Sequence, residues 1–188
     1  MATTTAAIPH SLPADFQFTM HAVTPSNAQH TLPAMLRLIK ALALFERAPE
    51  QVEATEELLR RSLFGDENGE HKYAECVLVY VGGGPGEGKA IGMACYYFTF
   101  STWTGRGGLY LEDLYVDDEY RGRGIAKLLF SYLGDICAER QLPRMEWVVL
   151  KWNEGARQVY KKMGAEDLDE WVTCRLTGES LKALAKAK

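Results

Sequence analysis

The hydrophobic pattern switches along the chain between strand and helix periods, and its centre is residues 109–129, LYLEDLYVDDEYRGRGIAKLL. In the first half Leu109, Leu111, Asp113 and Tyr115 alternate with Tyr110, Glu112, Leu114 and Val116, so each face is apolar save for one carboxylate. That pattern predicts a strand buried on both sides. In the second half Ile125, Leu128, Leu129, Tyr132, Leu133 and Ile136 form one apolar stripe, which predicts a helix from Gly124 to about Arg140, ahead of Pro143. Between the two lies Arg121-Gly-Arg-Gly-Ile-Ala126. Its glycines let the backbone approach a ligand, and the first helical N–H groups point outward, as a phosphate cradle requires.

The same rules place the flanking elements. Residues 16–23 read as a short strand. Thr31 is placed to cap a helix with Leu32, Met35, Leu36, Ile39 and Ala43 on one face, ending near Arg47 before Pro49. Thr55 caps a second helix, with Glu56 and Glu57 in its first turn and Gly65 near its end, followed by a polar loop over 65–71. Residues 74–81 and 90–100 read as a hairpin joined by the glycine-rich turn 82–88, which lacks the Gly-Lys-Ser/Thr ending of a P-loop. Residues 145–150 form a short apolar run, predicting a buried strand. Asn153 caps a short helix that ends at Gly164, with Ala156, Val159, Tyr160 and Met163 on its inner face. Residues 171–176 predict a last strand, and Thr177 caps a C-terminal amphipathic helix with Leu181, Leu184 and Ala185. The order, β-α-α-β-β-β-α-β-α-β-α, is that of a mixed α/β layer fold. It is expected as a single domain over 16–188 behind a disordered tail, 1–15.

Composition then removes several classes of function. A formal charge of −4 opposes nonspecific nucleic-acid binding, which needs a net basic footprint. Cys76, Cys95, Cys137 and Cys174 show no C-x-x-C, and His10, His21, His30 and His71 show no ligand spacing, so reduced thiols and no metal are expected. Residues 1–14 contain no Asp, Glu, Lys or Arg and lack the pattern of a signal or transit peptide. No apolar run approaches the roughly 20 residues that span a bilayer. The expectation is a cytoplasmic protein without membrane contact.

The central loop has the form Arg/Gln-x-x-Gly-x-Gly/Ala. Downstream, Lys151-Trp-Asn153-Glu-Gly-Ala-Arg-Gln-Val-Tyr160-Lys-Lys-Met-Gly-Ala165 has the form W-N-x(6)-Y-x-x-x-G-A. Together the two segments resemble the GNAT N-acetyltransferase superfamily. Arg37-Leu-Ile-Lys-Ala-Leu-Ala-Leu-Phe-Glu46, Tyr96-Tyr-Phe, Ser101-Thr-Trp103-Thr-Gly and Tyr110-Leu-Glu-Asp113 are similar to its diamine branch, which includes the spermidine/spermine and thialysine enzymes. The ending Glu170-Trp171…Cys174-Arg-Leu-Thr-Gly178 is closer to plant ornithine-type relatives.

This resemblance implies the GNAT fold, a mixed central sheet with a splayed parallel strand pair flanked by helices, and a homodimer. It implies acetyl-CoA as co-substrate and a small primary amine as acceptor. Arg121, Gly122, Arg123, Gly124, Ile125, Ala126 and Lys127 would hold the pyrophosphate. The backbone of Leu114, Tyr115 and Val116 would pair with the pantetheine arm. Asn153 and Ala156 would contribute to the cofactor site, and Tyr160 would protonate the leaving thiolate. Glu112, on a strand face with Tyr110, Leu114 and Val116, would be the base or the amine's positioning group, in a setting expected to raise a carboxylate's pKa. Phe45, Glu46 and Trp103 would meet the substrate. Phe45 stands where the spermidine enzymes have tyrosine, and Ala48-Pro49 replaces polar or acidic residues there. With fewer carboxylates, thialysine, ornithine, lysine-like or short diamine substrates fit as well as long polyamines or better. Two alternatives stay open from the residues: acetylation of protein lysines or N-termini, and a catalytically silent acetyl-CoA-binding or scaffold protein.

Overall fold

The fold is given by a computed structural model that describes residues 17–66, 68 and 70–186. The expected tail, 1–15, lies outside them. The chain divides between Val148 and Val149 into two compact units. In the first, β1 (Phe18–Ala22), α1 (Ala28–Phe45), α2 (Glu56–Phe64), β2 (Glu75–Val81), β3 (Lys89–Ser101), β4 (Arg106–Val116), α3 (Ile125–Glu139) and β5 (Met145–Glu146) follow one another. The strands form one five-stranded sheet in sequence order. The first four are antiparallel neighbours, while β4 and β5 run parallel. The expected mixed sheet with a parallel pair is therefore present. Among the described residues no helix is long and apolar enough to cross a membrane.

Each face of the sheet buries one core. Leu32, Met35 and Leu38 of α1 and Leu63 of α2 cover one face, against Leu78, Tyr80, Met93 and Tyr115. Ile125, Leu129 and Leu133 of α3 cover the other, against Val77, Val79, Ile91, Leu109, Leu111 and Val116. The stripe read from the sequence of α3 is thus its buried face. Thr55 caps α2 as expected, accepting from the Leu58 N–H at 3.2 Å. Helix α1 instead begins before Thr31, behind Asn27. Thr31 is buried, and its hydroxyl folds back to the Asn27 carbonyl at 3.1 Å instead of capping forward.

At the end of β4, Asp117 is only 9% exposed. It accepts two hydrogen bonds of 3.1 Å from the Arg37 guanidinium of α1, a bidentate charge-assisted pair. Arg37 also donates to the Ala90 carbonyl, and Lys89 pairs with Glu119. These contacts fasten α1, the start of β3 and the loop after β4 to one another.

Two expected strands are corrected. The run 145–150 pairs with β4 over Met145–Glu146 alone, matched to Leu109 and Tyr110. Beyond that pair the ladder stops, so the apolar run outlasts its hydrogen bonding. In the second unit, α4 (Glu154–Lys162) and α5 (Gly178–Lys186) form, but residues 171–176 form no strand. Alternation alone does not make a strand, because a strand needs a neighbour for its ladder.

Candidate active site

The feature that organises the site is a β-bulge. Tyr96 faces Leu111 across the β3–β4 ladder and Cys95 faces Asp113, so Glu112 is an extra residue with no partner on β3. A bulge shifts the alternation of faces by one. Leu109 and Leu111 pack beneath α3, and after the bulge so do Leu114 and Val116. Tyr115 packs on the opposite core, with α1. The strand face assigned to Glu112 from strict alternation, with Leu114 and Val116, is therefore corrected. The bulge brings Glu112 and Asp113 into electrostatic contact, although simple alternation had put them on opposite faces.

The consequence falls on Asp113. Burial first, then the charges of Glu112 and Glu46, push its carboxyl up to about 6. Glu46, at the C-cap of α1, is itself shifted upward by burial. Glu112 is exposed, in place of the enclosed setting expected for it. Beside it Tyr97 and Tyr110 stack at 5.0 Å, and burial followed by the Glu112 charge raises both phenols' pKa. Three carboxylates and two stacked phenols thus share one region of the first unit. Such a constellation attracts an ammonium group and can take a proton from it.

On the side of β4 opposite β3, the described residues form no ladder from Leu111 onward, since pairing with β5 stops at Tyr110. That stretch includes Leu114, Tyr115 and Val116, the residues whose backbone the resemblance assigns to the pantetheine arm. The following loop turns through Gly122 at φ +74° and Gly124 at φ +83°, a region that disfavours any residue with a Cβ. Gly124 is the N-cap of α3 and offers no side-chain cap. The first-turn N–H groups of Ile125, Ala126 and Lys127 have no carbonyl four residues back within the helix. A phosphate fits that geometry.

Arg121 is tied to the end of β4. Its Nε donates to the Val116 carbonyl at 3.0 Å and its Nη2 pairs with Asp118 at 2.8 Å. Its guanidinium lies 4.8 Å from the Phe45 ring centre and 5.5 Å from that of Tyr115. Phe45 is thereby tied to the loop at the end of β4. Arg123 lies 5.7 Å from the Tyr120 ring, and Lys127 is exposed. Trp103, at the β3–β4 turn, is 90% exposed.

In the second unit Asn153 caps α4 as expected, accepting from the Ala156 N–H at 3.2 Å. Tyr160, two turns on, is half-buried, and its carbonyl accepts from Ala165 at 3.0 Å. Arg157 holds the helix to the following segment through Asp167 at 2.9 Å. The expected inner face is amphipathic, yet α4 buries none of its residues fully.

The resemblance assigns Asp113 no role. The signal lies in the sequence: under simple alternation the two adjacent carboxylates put a charge on each buried face, a cost that a bulge avoids.

Residues 37–165 match the profile of the acetyltransferase (GNAT) family. The thialysine N-epsilon-acetyltransferase of Bos taurus is 38% identical over 157 residues, which cover 80% of this chain and 89% of that protein. The L-ornithine N5-acetyltransferase of Arabidopsis thaliana is 34% identical over 95 residues, covering 50% of this chain and 42% of its own. An integron cassette protein from the mobile metagenome of V. cholerae superimposes with a TM-score of 0.69 at 24% identity, over 90% of this chain and 98% of its own, a likeness of fold. The profile match runs from Arg37 through the glycine loop to the end of the Tyr160 segment, so both motif regions fall within one family: the chain is an acetyltransferase and belongs to the GNAT family.

Proposed function

We propose that the protein moves an acetyl group from acetyl-CoA directly to the primary amine of a small diamine, polyamine or diamino acid, of the thialysine or ornithine type. The observation that carries this reading is the grouping of Glu46, Glu112 and Asp113 beside the stacked Tyr97 and Tyr110. A cationic acceptor suits that surface. The relatives that act on thialysine and ornithine support the same class.

Acetyl-CoA brings an activated thioester. Its pyrophosphate would lie on Gly122, Gly124 and the N-terminal N–H groups of α3, with Arg121, Arg123 and Lys127 adding charge. Asn153 and Ala156 of α4 carry the cofactor-binding role that the resemblance gives them. A lysine-like ammonium, with a pKa near 10.4, must lose a proton before it can attack, at a cost of about 4.6 kcal/mol at pH 7. Glu112 takes that proton, directly or through water, while Asp113 and Glu46 hold the cation near it. The amine nitrogen would bond to the acetyl carbon, the carbon–sulfur bond would break, and Tyr160 would give its proton to the departing sulfur; the nitrogen sheds its second proton as the amide forms, which restores Tyr160 through water, and Glu112 releases the first to solvent. Phe45 and Trp103 pack on the aliphatic stem.

A homodimer belongs to this reading. Trp171 and Val172, 72% and 83% exposed, lie in a segment patterned as a strand that pairs with no strand among the described residues. One domain over 16–188 is supported by a family match that crosses the division at Val148. A cytoplasmic location rests on the sequence alone.

The test is acetyl-CoA turnover, read as released thiol, across polyamines, diamines, diamino acids and a lysine peptide. Turnover of the small amines is expected. Activity on the peptide alone would move the assignment to protein acetylation, and activity on none would favour a silent acetyl-CoA-binding protein.

A further inference from the structure

Beyond the stacked tyrosines, the acceptor face carries a pair of charges that the function above does not use. Met145 and Trp147 pack with the α3 core, so Glu146 between them points to the other face of the sheet. Leu109 and Leu111 pack with that same core, so Tyr110 shares the face of Glu146, its partner in the β4–β5 ladder. After burial, the charges of Glu112 and Glu146 both raise the pKa of the Tyr110 phenol. Glu112 stands farther along β4, and Glu146 stands beside Tyr110 on β5.

Arg144, two residues before Glu146, lies on the same face and pairs with it, Nε to Oε2 at 2.9 Å. Its stem crosses β4 at Gly108. A Cβ on that glycine would come within 3.2 Å of Arg144 Cγ, 3.3 Å of its Nε and 2.8 Å of the Thr99 hydroxyl. A residue with no side chain is what lets the arginine lie across the strand there. Followed away from the bulge, one strip of the face thus presents Glu112, then Tyr110 stacked on Tyr97 with Glu146 at its side, then Gly108 under Arg144.

Strand geometry gives this strip a scale. Two residues along a strand and one strand spacing across put the Cα atoms of Glu112 and Glu146 about 8 Å apart. The nitrogens of an extended four- or five-carbon diamine stand about 6–7 Å apart, a match within the reach of the two side chains. The Nε contact occupies one oxygen of Glu146 and leaves the lone pairs of the other for a ligand. A third nitrogen, three or four carbons farther on, falls at Gly108, where the nearest charge is the Arg144 guanidinium.

We propose that Glu146 receives the second ammonium of the acceptor and that Arg144 closes the strip behind it, so that amines with two nitrogens are preferred to longer polyamines. The inference rests on the amine-acetyltransferase reading above and assigns the residues that set chain length. The test compares kcat/KM for pentylamine, cadaverine and spermidine in the full-length protein, in Glu146→Gln and in Arg144→Met. The wild-type protein should favour cadaverine over both others. Glu146→Gln should lower the cadaverine to pentylamine ratio by about fivefold, mainly through KM, the loss expected of one partly exposed ion pair. Arg144→Met should raise the spermidine to cadaverine ratio by about fivefold, because it removes a like charge and frees Glu146, while Arg144→Lys should keep the wild-type ratio. Each ratio is internal to one protein, so partial misfolding of a variant cancels. A pair that only braces β5 would lower all three substrates together and leave both ratios unchanged. That result, or a wild-type preference for spermidine, overturns the inference while leaving amine acetylation standing. No thiol release with any of the three amines, or with ornithine, overturns both.

Discussion

Tyr160→Phe is expected to lower kcat by more than about tenfold, the lower part of the range for a positioned general acid. Acetyl-CoA affinity should stay within about twofold, since a single hydroxyl is a small part of so large a ligand surface. The effect is moderate for a chemical reason. A free thiol has a pKa near 8.5, so the thiolate leaves tolerably well without help. Tyr160 lies two turns beyond Asn153, whose side chain fixes the start of α4 through the Ala156 N–H. Substitution by Phe keeps the ring and removes only the proton. Single-turnover thiol release with calorimetric binding of acetyl-CoA separates the two quantities. Unchanged turnover would remove Tyr160 from the acid role.

Glu112→Gln should lower kcat/KM for the amine by about tenfold or more at pH 7 and displace the pH–rate profile upward. Without the carboxylate the reaction waits for amine already neutral in solution, whose fraction rises toward its pKa near 10.4. An unaltered profile would end the case for Glu112 as base. The neighbouring carboxyl supplies an independent readout. Burial, Glu112 and Glu46 raise the folded Asp113 carboxyl to about 6, above its unfolded value. The folded state therefore holds this proton more tightly, a stabilisation complete below about pH 4 and lost as pH rises through 6. At pH 7.5 the ionised carboxylate costs on the order of 2–3 kcal/mol, which Glu112→Gln relieves in part. The variant should thus melt no lower than wild type at pH 7.5 while turning over more slowly. Weakened catalysis without weakened folding is what a carboxylate kept for function, against stability, produces.

Much of this was legible from the chain. The stripe on α3, the Thr55 and Asn153 caps and the glycine loop all lie where local sequence puts them, because caps and helical faces depend on neighbours within a few residues. The start of α1 differs from the expected one because Asn27 and Thr31 can both cap a helix, and only the tertiary fold, burying Thr31, chooses between them. The extent of β5 and the segment 171–176 depend on ladders with distant partners, which alternation does not encode. The bulge at Glu112 belongs to the same class. Whether Glu112 or Leu111 pairs with β3 is decided across the ladder, and with it the companionship of Glu112 and Asp113. Tyr160, by pattern alone, was only one more apolar position on a short helix.

Direct transfer between acetyl-CoA and the amine, with no acetylated protein between them, is the central mechanistic proposal. The most direct measurement is the intact mass of the protein after incubation with acetyl-CoA, first without and then with a diamino acid, with released thiol followed throughout. The predicted result is an unmodified protein and no thiol until the amine is added, then acetylated amine and thiol in equal amounts. A protein that gains a stable acetyl group and releases thiol before any amine is present, then passes the acetyl group on when the amine arrives, would contradict it.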